Sequence, residues 1–326
     1  MDNSVYNYTA NQFARIQEEK KGIRLIGKAS GICVIAFVVI QYIVTVPILI
    51  PFLLNLYKSD TVFRDSVSII ISLLSVLVPF VAAGFYLKKR TGVEFALFSK
   101  PGNSVTALLL IFVGLFFCVA GDYVTSWLSA LVRIFGFELT TPDETVATGF
   151  FPRLVYVIYV AFTAPLCEEI AIRGVVLQPL RRYGDVFAIV VSSVVFGVLH
   201  GNLVQAPFAF VVGIGLGYTA CITGSLWPCI IIHSINNLIA ALSLFASEDL
   251  APEVFLSRYN MVQYTLIVLG VLSAIGFVFV KGREHLGKSQ TYSGTGAKTA
   301  AFFLNVPMII ALLLMAFFTA QYVHKI

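Results

Sequence analysis

Residues 153–180 read RLVYVIYVAFTAPLCEEIAIRGVVLQPL. As a helix this stretch extends about 42 Å, more than the ~30 Å hydrocarbon layer of a bilayer. It is largely apolar, and its only charged residues are Glu168, Glu169 and Arg173 in its middle and Arg153 at its edge. A helix apolar all round belongs in a membrane or a large core. Ionised groups in such a helix cost several kcal/mol unless they face protein or a wet hollow.

The rest of the chain favours the membrane. Of 326 residues 58% are hydrophobic and 12% charged, the mean hydropathy is +0.90, and there are 28 Phe and 14 Tyr. A soluble domain carries about 45–50% apolar and about 25% charged residues. A soluble secreted domain and a disordered chain are thereby excluded. Apolar runs fall near residues 31–57, 66–87, 104–128, 153–180, 186–203, 206–222, 226–246, 260–280 and 300–323. The fold class expected is an all-α polytopic transmembrane bundle of about eight to nine spans enclosing a polar catalytic cavity within the bilayer. With the N-terminus inside, 16 of the 22 Lys and Arg residues fall in internal segments and 6 in external ones, as the positive-inside rule requires. The net charge of +5 is spread between apolar runs, so it reads as topology and not as a nucleic-acid surface. The first apolar run begins too late and runs too long for a cleavable signal peptide.

Four segments follow: a polar cytoplasmic tail (1–28), N-terminal membrane helices (29–150), a catalytic helical core (151–247) and C-terminal membrane helices (248–326). The last two runs are uniformly apolar and are expected to serve as structural or lipid-facing helices. Cys33, Cys118, Cys167, Cys221 and Cys229 all lie in or beside apolar runs without a CxxC pair, as buried thiols do.

Polar groups gather in three runs. The fourth holds Glu168, Glu169 and Arg173; the fifth ends Phe196-Gly197-Val198-Leu199-His200; the seventh holds His233-Ser234-Ile235-Asn236-Asn237. Glu169 and Arg173, at i and i+4, share a helix face with the acid leading. Glu168 is turned about 100° away and is free to face a histidine, as a general base must. Phe196 stands one turn before His200 as an apolar wall. Gly184, in the turn Arg181–Asp185, lies midway between Glu168 and His200. Two antiparallel helices joined there place both side chains at one level, ~20 Å from the turn. Asn237 is equally deep from the Thr223–Ser225 turn, and His233 is shallower by about one turn. Gly213, Gly215 and Gly217 in the sixth run permit close helix packing, which is expected to draw the fifth and seventh runs together.

The ordered motifs EExxxR (Glu168 to Arg173), FxxxH (Phe196 to His200) and HxxxN (His233 to Asn237) resemble the CPBP intramembrane proteases. That family comprises the type II CAAX prenyl endopeptidases and the bacteriocin-processing and self-immunity proteins. The resemblance implies an intramembrane glutamate-type endopeptidase acting on a membrane-associated protein or peptide. Glu168 and His200 would activate water, His233 and Asn237 would stabilise the oxyanion, and Glu169, Arg173 and Phe196 would support them. Metal-free chemistry is expected; were zinc used, Glu168, His200 and His233 would be its ligands. The expected setting is a bacterial plasma membrane, with the lipid bilayer and a peptide substrate as partners and no nucleic acid. A prenylated CAAX tail, a leader peptide, a signalling peptide and a transmembrane regulator are all compatible substrates. Two other functions fit the residues: a non-proteolytic regulator or immunity protein of the same fold, and a proton-coupled transporter. The transporter is disfavoured because the polar set forms one cluster, apart from Asp122 in the third run.

Overall fold

The computed structural model describes residues 3–93, 98–141, 146–280, 286–287 and 289–326, with side chains from residue 11. Lys281, Arg283, His285 and Lys288, three of which entered the charge count, lie outside the described residues. The described chain is a helical bundle. In order come α1 (Asn3–Thr45) and α2 (Pro51–Ser59), then α3 (Thr61–Thr91), α4 (Ser104–Ile134) and α5 (Phe150–Tyr183). They are followed by α6 (Asp185–Leu199), α7 (Gln205–Thr223), α8 (Trp227–Asp249), α9 (Pro252–Val280), α10 (Thr295–Phe303) and α11 (Val306–Ala320). Strands β1 (Phe137–Leu139) and β2 (Val323–Lys325) pair antiparallel and tie the end of α4 to the end of the chain.

All nine apolar runs are helical, but not all are spans. Among the described residues seven helices are long and apolar enough to cross a membrane. α10 and α11 together make an eighth candidate, bent by 76°. The fifth run, α6, has 15 residues and so extends only about 22 Å, short of the hydrocarbon thickness. Against the eight to nine spans expected, the described residues hold seven, or eight if the bent pair is one span. The bend has a local cause. Asn305 caps α11 by accepting from the Met308 amide, and its own Nδ2 donates to the Phe302 carbonyl. The bend packs on α1 at Gly27 and Gly31, where an added Cβ would come within 2.2 Å of the Phe302 oxygen and 2.5 Å of the Met308 nitrogen. The amino-terminal segment, read as a polar tail, is helical from Asn3 and continues without interruption into the span, and Ile23 and Ile26 are fully buried in the core.

Two long helices widen into π-helix, and each widened stretch precedes a proline. α3 is π-helical over Leu73–Leu77 before Pro79, and α5 over Ile158–Thr163 before Pro165 and Ile170–Leu177 before Pro179. Proline lacks an N–H and its ring clashes with the carbonyl four residues back; a wider turn relieves that clash. π-turns recur at functional sites, and Glu168 and Glu169 stand between the two in α5.

The expected turn between the fourth and fifth runs is present. α5 closes in a tight turn at Arg181–Tyr183, and Gly184 at φ +113° reverses the chain into α6. Arg181 Nε pairs with Asp185 Oδ1 at 2.8 Å, and its Nη2 donates to the Cys221 carbonyl at 3.1 Å, fixing this corner to α7. The α7 glycines do their packing elsewhere than expected. A Cβ on Gly213 would meet Ser193, and one on Gly217 would meet Ile189, so α7 lies against α6; one on Gly215 would meet Phe117 of α4. The stripe therefore joins the fifth run to the third through the sixth, and not the fifth to the seventh. α8 instead docks on α4, where Gly114 leaves room for Ile232.

Candidate active site

Glu169 and Arg173 are fully buried, and Arg173 Nη1 donates to Glu169 Oε1 at 2.9 Å, the pair that their spacing predicts. The same Oε1 also accepts from His233 Nδ1 at 2.9 Å, a contact across 64 residues that no local spacing foretells. Glu169 thus neutralises Arg173 and orients His233 at once. Because the partner is a carboxylate, Nδ1 is the protonated nitrogen. In the neutral ring Nε2 is then an acceptor, and it lies 3.9 Å from Glu168 Oε2.

His200 ends α6 with its Nδ1 2.8 Å from the Phe196 carbonyl. A carbonyl only accepts, so here too the proton sits on Nδ1 and Nε2 carries a lone pair. Phe196 does more than wall off His200. Its ring stands edge-on to His200 at 4.9 Å and to His233 at 5.8 Å, and the Arg173 guanidinium lies 4.4 Å above its centroid. It holds three of the site's side chains in register.

Asn237 Nδ2 donates to the Val160 carbonyl at 2.9 Å, and its Oδ1 accepts from Asn236. The Val160 carbonyl needs this partner. In the π-turn its i+5 partner is Pro165, which has no N–H. One N–H of Asn237 remains uncommitted. Glu168 differs from all of these. Its side chain is 26% exposed, and its Oε2 is buried with no hydrogen-bond partner among the described residues.

Glu168, His200, His233 and Asn237 line one cavity of about 740 Å³. The cavity is bounded by α4 through α9 and takes in residues that motif reading does not collect. Asn236 is one; Asp122 and Gln263 are others, with Gln263 Nε2 3.4 Å from Asp122 Oδ2. Asp122, which the sequence set apart from the polar cluster, therefore lines the same cavity. α9, read as purely structural or lipid-facing, contributes Gln263. The signal available in the sequence was a lone polar side chain inside an apolar run. Among the described residues no three His, Cys, Asp or Glu side chains are gathered closely enough to hold a metal ion.

The chain is an integral membrane protein whose helices close a glutamate- and histidine-lined pocket inside the bundle. Residues 150–239 match the family described as type II CAAX prenyl endopeptidase Rce1-like, a match consistent with the CPBP resemblance of its motifs. An uncharacterized protein of Mycoplasma capricolum subsp. capricolum is 33% identical over 105 residues. The aligned stretch is 31% of this chain and 30% of that relative. No solved structure matches significantly.

Proposed function

We propose that this protein is a glutamate-type intramembrane endopeptidase that hydrolyses a peptide bond of a membrane-associated protein or peptide. The carrying observation is the unpartnered, buried oxygen of Glu168 in a cavity shared with His200, His233 and Asn237. A water held by Glu168 and by the His200 Nε2 lone pair gives its proton to Glu168 and attacks the scissile carbonyl carbon. Asn237 offers the resulting oxyanion its free N–H. His233 can donate to that oxyanion only from a ring protonated on both nitrogens, since Nδ1 is committed to Glu169. Glu168, having taken the water's proton, stands 3.9 Å from Nε2 and can supply it. The tetrahedral intermediate collapses with cleavage of the C–N bond, and the proton goes to the leaving amine. We place the protein in a bacterial plasma membrane with its N-terminus cytoplasmic, on the distribution of Lys and Arg.

The test compares peptide termini in membranes carrying the wild-type protein or Glu168→Gln at equal abundance. New termini in the wild type alone are the expected result. Indistinguishable peptide sets, with the variant retaining the cellular phenotype, would instead support a non-proteolytic regulator.

A further inference from the structure

The cavity extends well beyond the reacting groups, and its far wall is chemically one-sided. Asp122 and Glu168 are the only charged residues among its described lining; no Lys or Arg faces it. Three hydrogen-bond acceptors on that wall are short of donors. The Asp122 carboxylate has one contact, a long one from Gln263. Gln263 is 8% exposed, yet its Oε1 is buried with no partner among the described residues, and Thr125 Oγ1 is in the same condition. Asp122 and Thr125, at i and i+3, share one face of α4. Tyr259, one turn before Gln263 on α9, adds an aromatic ring to the same wall. Two carboxylates, unfilled acceptors and an aromatic face with no cation favour a positively charged donor. In a low-dielectric cavity that preference is strong.

The distance from the reacting groups follows from helix registry. Gly114 of α4 abuts Ile232 of α8, so position 115 is level with His233. Asp122 is then about 10 Å further along the bundle. An extended peptide covers that distance in about three residues.

The geometry points to a specificity subsite formed by Asp122, Thr125 and Gln263 that takes a cationic donor of the substrate about two to four residues from the bond cut. The donor is a lysine or arginine side chain or a free N-terminal ammonium. The inference deepens the peptidase reading and rests on it for the meaning of "the bond cut", but the binding itself is measurable without turnover.

The test uses the full chain carrying Glu168→Gln, in lipid nanodiscs. The probes are fluorescein-labelled Ala/Leu peptides with a single lysine walked along an otherwise constant sequence, each with a norleucine control. At one or two positions lysine should tighten binding at least tenfold over norleucine. Adding Asp122→Asn should reduce that preference below threefold, with thermal unfolding unchanged. Should Asp122→Asn fail to fold, Thr125→Val and Gln263→Met carry the same comparison with smaller losses. Equal binding of lysine and norleucine peptides at every position, or a preference that survives these substitutions, overturns the subsite. Cleavage of the same peptides by the protein with Glu168 intact separates the two readings. A lysine preference that depends on Asp122, with no cleavage, keeps the subsite and sinks the peptidase. Cleavage indifferent to lysine keeps the peptidase and sinks the subsite. An Asp122→Asn variant that slows every peptide equally would assign Asp122 to proton transfer and likewise overturn the subsite.

Discussion

Helices α5 and α9 are both long and apolar enough to cross a bilayer, yet they solve opposite problems. In α5, 39% of the most apolar window is buried in protein; in α9 the share is 17%. α9 presents Val271, Leu272, Ile275, Val278 and Phe279 outward, where lipid tails are as good a solvent as a protein core. α5 carries Glu169 and Arg173 at zero exposure, and these charges are stable only because His233, Phe196 and each other surround them. The difference teaches where precision is needed. Lipid-facing side chains need only be apolar, whereas the interior face of α5 must satisfy each polar atom in turn, even by widening its own helix before Pro165 and Pro179. α9 keeps two buried polar positions, Gln263 and Ser273.

That contrast can be broken at graded positions. Glu168→Gln keeps shape and removes the base, so cleavage by purified protein should fall by about 10³-fold or more with unfolding unchanged. A variant that cleaves at the wild-type rate ends the mechanism. Arg173→Met leaves Glu169 charged and buried with one fewer partner, and should destabilise by about 3–5 kcal/mol in reversible unfolding. Gly213→Val puts a side chain where a Cβ already meets Ser193 at 2.9 Å; separating α6 from α7 should cost about 1–3 kcal/mol. Leu272→Ala, on the outward face of α9, should change stability by no more than about 0.5 kcal/mol. A loss there as large as that at Arg173 would show α9 packed against protein, and the contrast drawn above would fail.

Much of the site was legible because helical periodicity and turn placement are local. The i, i+4 spacing gives the Glu169–Arg173 pair, and the position of Gly184 midway between Glu168 and His200 brings both to one cavity. The Glu169–His233 bond was not legible, since nothing within either helix fixes how α8 is rotated against α5. Nor was the destination of the α7 glycines: a small-residue stripe says that a helix packs closely, not on which neighbour. The π-turns were foreshadowed by three prolines inside apolar runs, but a proline can also kink or end a helix, and only packing selects among these.

The sequence by itself determined that this chain lives in a membrane, in which of its runs the polar groups gather, and that Glu168 and His200 share a depth. It does so because hydropathy and the rise of a helix are properties of the chain alone. Only the tertiary structure decided that Glu169 also holds His233, and that Asp122 and Gln263 face the same hollow. Those outcomes depend on the rotation and closeness of helices distant in sequence, which are set by the packing of all their side chains together.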